Sequence, residues 1–82
     1  MKKVLNKAQA EAVYSAMCAL NNVGGLLHTR IKSATPGILF HVNELPSGHM
    51  QIWVADVIGN PTGAGHEDHK NQAAFATAYC LN

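Results

Sequence analysis

The stretch Gly37-Ile-Leu-Phe-His-Val-Asn-Glu-Leu-Pro-Ser-Gly-His-Met-Gln-Ile-Trp-Val-Ala-Asp56 decides the fold of this chain. Side chains alternate along it with the period of two that marks a half-buried strand, on both sides of a turn. Pro46 suits the i+1 position of a type I turn, and Gly48 suits the left-handed position that closes a three-residue hairpin loop with a bulge. With Pro46-Ser47-Gly48 as the loop, Leu45 faces His49, Val42 faces Ile52 and Phe40 faces Val54. Asn43 then faces Gln51, and His41 faces Trp53. Apolar meets apolar and polar meets polar, a match that a one-residue slip destroys.

Upstream, the spacing predicts a helix over Lys7–Asn21. Asn6 is an N-cap residue, and Gln9 three positions on completes a capping box. Ala10, Val13, Tyr14, Met17 and Leu20 recur on one face, and Gly24-Gly25 ends the helix. Leu26–Lys32 alternates as a further strand. Placing Ile31 opposite Ile38, with Ser33-Ala34-Thr35-Pro36 as the turn, predicts an antiparallel pair with the hairpin's first strand. Downstream, Gly59-Asn-Pro-Thr-Gly-Ala-Gly65 carries three glycines and a proline and is predicted as a mobile loop. A second helix is expected to start near Glu67 or Asp68, with Ala74, Phe75, Ala78, Tyr79 and Leu81 turned inward. The fold class expected is α+β. It is a two-layer domain over residues 1–82, a three-stranded antiparallel meander with two helices on one face.

Composition narrows the function classes. Eighty-two residues hold one core, and 48% apolar with 13% charged residues argues for a folded domain rather than a disordered one. A formal net charge of +1 excludes a general polyanion binder. The five histidines can add positive charge below about pH 6.5. Cys18 and Cys80 sit in apolar helical contexts and are expected to be buried free thiols. No apolar stretch approaches the roughly 18 residues of a membrane span. Asn6, Lys7, Gln9 and Glu11 interrupt what would be a signal peptide's apolar core after Met1-Lys2-Lys3, so a cytoplasmic location is expected.

With both helices over Leu27, Ile31, Ile38, Phe40, Val42, Met50, Ile52 and Val54, the opposite sheet face is left open. It gathers His28, Arg30, Lys32, His41, Asn43, Gln51 and Trp53, and these are the candidate partner-binding residues. Trp and Arg are the side chains that most often anchor interfaces. Leu39 and Ala55 on the same face leave a homodimer seam as a rival use of it. No catalytic motif surrounds any serine or cysteine, no cofactor motif is present, and no enzyme is expected. His66-Glu67-Asp68-His69 is the densest titratable run. His66 and His69, three apart on a helix, share a face and could hold a metal, but a third or fourth ligand is needed and the His-Glu-x-x-His zinc pattern is absent, so a solvated helix start is expected over a metal or pH-responsive site.

The expected element order, with Gly48-His49 entering a strand, then Gly63-Ala64-Gly65 and the Ala73-Ala74 helix, resembles the double-stranded-RNA-binding domains. That resemblance implies a nucleic-acid partner gripped by a basic start to the second helix. The corresponding run here, His66-Glu67-Asp68-His69, is acidic, and only Lys70 adds charge of the right sign. The leading expectation is therefore a small non-enzymatic module that docks a protein partner, by analogy the kind of phage-like inhibitor with which mobile elements block host machinery. Nucleic-acid binding on the same face is the alternative.

Overall fold

A computed structural model describes residues 3–81. Its elements run α1 (Lys7–Asn21), β1 (His28–Lys32), β2 (Ile38–Glu44), β3 (Met50–Asp56), β4 (Pro61–His69) and α2 (Gln72–Ala78). The protein is α+β, and the strands form one antiparallel sheet in the order β1-β2-β3-β4.

The hairpin has the register its turn chemistry demands. Phe40 pairs with Val54, His41 with Trp53, Val42 with Ile52 and Asn43 with Gln51. Gly48 takes φ +94°, and Leu45 N–H donates to the His49 carbonyl at 2.8 Å. Helix α1 likewise begins at Lys7, with both halves of the Asn6–Gln9 capping box formed.

Strand β1 departs from the expected pairing by two residues. Ile31 lies opposite Phe40 and Thr29 opposite Val42, rather than Ile31 opposite Ile38. The reason is the connecting turn. Ile38 N–H donates to the Thr35 carbonyl, with Pro36 and Gly37 between them, and Ser33 N–H donates to Ile38 O. The tight turn is therefore centred on Pro36-Gly37, two residues later than expected. A two-residue slide preserves the face of every side chain, so the two sides of the sheet are composed as expected.

The larger correction is at residues 59–71. The glycine-rich stretch is neither a mobile loop nor the approach to a helix; it forms a turn and then a fourth strand along β3. His66 pairs with Trp53, Glu67 with Ile52, Asp68 with Gln51 and His69 with Met50. Without β4, β3 would leave a row of unpaired backbone groups at the sheet edge. A bulge absorbs the length mismatch, with residues 62–65 opposite the lone Val54. Helix α2 starts at Gln72, not near Glu67, because Asn71 is its N-cap and accepts from Ala74 N–H at 2.8 Å. The fourth strand also removes the basis of the likeness to double-stranded-RNA-binding domains: Gly63 and Gly65 lie within a strand rather than before a helix.

Both helices pack on one face. Ala10, Val13 and Met17 of α1 and Phe75 of α2, with Tyr79 just beyond it, close over Leu27, Phe40, Val42, Met50, Ile52 and Val54. Each large side chain among these contributes about 1.5–3 kcal/mol by leaving water.

Two buried carboxylates staple this layer. Glu67 Oε1 accepts from Val4 N–H at 3.0 Å and from the Tyr79 hydroxyl, and its Oε2 lies 2.5 Å from His69 Nε2. Glu44 accepts from Leu27 N–H at 3.1 Å and from the Gln72 amide at 2.9 Å. The chain before α1 thus crosses the inner side of β4. It can do so because position 65 is glycine: a Cβ there would sit 2.8 Å from Val4 Cγ1. Among the described residues no helix is long and apolar enough to cross a membrane.

Candidate functional site

The outer face is a grid of cross-strand rows. Arg30, His41, Trp53 and His66 form one row; His28, Asn43, Gln51 and Asp68 form the next. Lys32, Leu39, Ala55 and Pro61 form a third. All seven residues singled out from the sequence therefore share one surface, because alternation sends every second side chain outward. His28, Arg30 and Lys32 are exposed, and Asn43, Gln51 and Trp53 are half-buried.

His41 differs from the rest. Only 7% of it is exposed, so it underlies the surface rather than presenting a contact. Trp53 covers it, with the two rings stacked at a centroid separation of 5.4 Å and an interplanar angle of 25°. The β3–β4 turn approaches from the side: a Cβ at Gly59 would lie 3.9 Å from His41 Cε1. The His41 Nε2 is buried and has no hydrogen-bond partner.

Trp53 stands between two concavities. On the β1–β2 side lies a polar pocket of about 320 Å³, lined by His28, Thr29, Arg30, His41, Asn43 and Trp53. His28 Nδ1 and Asn43 Oδ1 are 3.0 Å apart at its margin. On the β4 side lies a more apolar groove of about 570 Å³, lined by Gln51, Trp53, Pro61, Gly63 and His66 among others. The groove exists because the bulge pulls β4 away from Val54 and because glycines there fill no space.

Strand β4 brings residues that the sequence reading placed elsewhere. In a strand, His66 and Asp68 point to the outer face while Glu67 and His69 point inward. His66 and His69 thus lie on opposite sides of the sheet, and the helical pairing that a two-histidine site required does not occur. Asp68 sits between two imidazoles instead, 2.9 Å from His66 Nε2 and 3.3 Å from His49 Nε2. Among the described residues no group of three or more His, Cys, Asp or Glu side chains is arranged to hold a metal ion. Cys18 and Cys80 are free but exposed, not buried: both lie off the apolar stripe of their segments.

The turn joining β3 to β4 adds an apolar rim. Val57 is 58% exposed and Ile58 78%. Asp56 holds the turn by accepting from Ile58 N–H at 3.0 Å and Asn60 N–H at 2.9 Å. The Asn60 amide is the main reason that its carboxyl lies below the usual aspartate range. The sequence signal for this rim was present: two consecutive large apolar residues beside a glycine turn have no strand face on which to hide.

No protein-family model matches the chain, and neither a curated protein nor a solved structure matches it.

Proposed function

We propose that this protein is a small non-enzymatic module that docks a protein partner on the outer face of its sheet, acting in the cytoplasm. The observation that carries the reading is the position of Trp53. It is the only tryptophan of the chain, half-buried between two concavities, with Arg30 on one side and the exposed Val57-Ile58 rim at the end of the face. Interface hot spots have this anatomy: an aromatic anchor set among pockets, with an arginine beside it. A module of this kind works by occupying a partner's surface, which is the way a mobile-element-type inhibitor blocks host machinery.

The test is capture from host lysate treated with nuclease, comparing the wild type with the Trp53→Ala/Arg30→Ala double variant. Retention of the partner falls by about thirtyfold or more, the worth of one hot-spot residue. A folded double variant that captures the same partner equally well ends the proposal. Capture that disappears on nuclease treatment and weakens steeply with salt supports the nucleic-acid reading instead, in which Trp53 stacks on bases and Arg30 and Lys32 meet phosphates. A chain that elutes at twice its 8.8 kDa mass, with Trp53 protected, assigns the face to a homodimer seam.

A further inference from the structure

We propose that the polar pocket between His28, Arg30, His41, Asn43 and Trp53 is a socket for a carboxylate side chain of an acidic protein partner. This deepens the docking reading and rests on it.

Every acidic side chain is already committed or remote. The chain has five: Glu11, Glu44, Asp56, Glu67 and Asp68. Glu44 and Glu67 are buried on the inner side, Asp56 is tied to its own turn amides, and Asp68 lies between His49 and His66. Glu11 belongs to α1, which covers the other face of the sheet. Among the described residues Arg30 makes no ion pair, although it is exposed at the pocket's edge. An external carboxylate therefore meets no competing acid of the described residues at Arg30.

The wall formed by Asn43 also calls for an acceptor. Asn43 has its Oδ1 engaged by His28, so what it has left to offer is the Nδ2 donor. His41, which also lines the pocket under Trp53, keeps its Nε2 buried and without a partner. Native structures rarely leave such a group unpaired, and leaving it so costs about 1–3 kcal/mol. A carboxylate held by the Arg30 fork, in the bidentate geometry that guanidinium favours, shares the pocket with the Asn43 Nδ2 donor.

The pocket's surroundings favour a carboxylate side chain over a nucleic-acid backbone. At about 320 Å³ it has room for a carboxylate and its stem. A phosphate chain continuing across the sheet from Arg30 meets Asp68 in the adjoining row, which repels it, and the exposed cations of the face are confined to β1.

Because Trp53 lines the socket and is the chain's only tryptophan, its fluorescence reports occupancy directly. The probes are hexaglutamate, hexalysine and a hexameric single-stranded oligonucleotide, titrated at low ionic strength into wild type, Arg30→Gln and Lys70→Gln. Lys70 is exposed and outside the socket, so its variant removes the same charge without touching the pocket. Hexaglutamate gives a saturable Trp53 response that weakens about tenfold or more in Arg30→Gln. It changes by less than about twofold in Lys70→Gln, as expected for a lone surface charge. Hexalysine gives no response.

Three outcomes overturn the proposal: no saturable response to hexaglutamate, equal losses in the two variants, or tighter Arg30-dependent binding of the oligonucleotide. If hexaglutamate fails while partner capture still depends on Trp53, the socket falls and the docking surface stands. If both fail, the docking reading falls with it.

Discussion

Strand β4 carries two histidine–acid pairs within four consecutive residues, and the two have opposite surroundings. Glu67 and His69 face inward, their side chains 0% and 3% exposed. His66 and Asp68 face outward, 61% and 37% exposed. The inner pair has its carboxylate supplied with hydrogen bonds from Val4 and Tyr79, and His69 packs edge-on against Phe75 at a 5.3 Å centroid separation. The outer pair shares its carboxylate with His49 at the surface. The same residue types are therefore a staple on one side of the strand and a solvated group on the other. Solvent access decides which: an ion pair in water contributes about 0–1 kcal/mol, while a buried carboxylate stripped of a partner costs several.

Removing the inner carboxylate gives the largest effect. Glu67→Ala strands Val4 N–H, the Tyr79 hydroxyl and His69 together, and urea unfolding shows a loss of about 3–5 kcal/mol. Tyr79→Phe leaves the carboxylate in place but takes one donor away, and the same measurement shows about 1–3 kcal/mol.

The tyrosine also sets a pH limit. Burial, and then the hydrogen bond to Glu67, raises the ionisation of its hydroxyl above the ordinary range. The unfolded chain ionises near pH 10, before the folded one does, so Tyr79 stabilises fully below about pH 10 and that contribution is lost as pH rises further. Thermal melts of the wild type fall across that alkaline window. Those of Tyr79→Phe fall less, which separates this residue from the other alkaline titrations. The outer pair gives the smallest effect: Asp68→Ala changes stability by less than about 1 kcal/mol, and the change shrinks as salt is added. A large loss in Asp68→Ala, or a small one in Glu67→Ala, breaks the contrast between the two sides of β4.

The contrast also explains which parts of the molecule were legible in advance. The outer surface was readable as a set because period-two alternation and the turn at Pro46-Ser47-Gly48 place His28, Arg30, Lys32, His41, Asn43, Gln51 and Trp53 on one side. Within that set, only the structure shows that His41 is covered by Trp53 and that a bulge opens a groove beside it. The residues from Pro61 to His69 hid their strand. The inward positions carry Gly65, Glu67 and His69, none of them apolar in the usual sense, so the expected alternation of hydrophobic and polar is absent. Asn71 is a good N-cap, but the acids at 67 and 68 carry a competing helix-start signal earlier in the chain.

Local chemistry alone determined the β2–β3 register, the capped helix α1 and the composition of the apolar sheet face. Each rests on residues within a few positions of one another or on a strict period. Tertiary structure decided the fourth strand, the slide of β1 and the burial of Glu67 with His69. A carboxylate beside a histidine reads as solvated until partners arrive from far along the chain. Here they come from Val4, 63 residues before Glu67, and from Tyr79, 12 residues after it. Only the folded chain brings those donors to the carboxylate and makes its burial affordable.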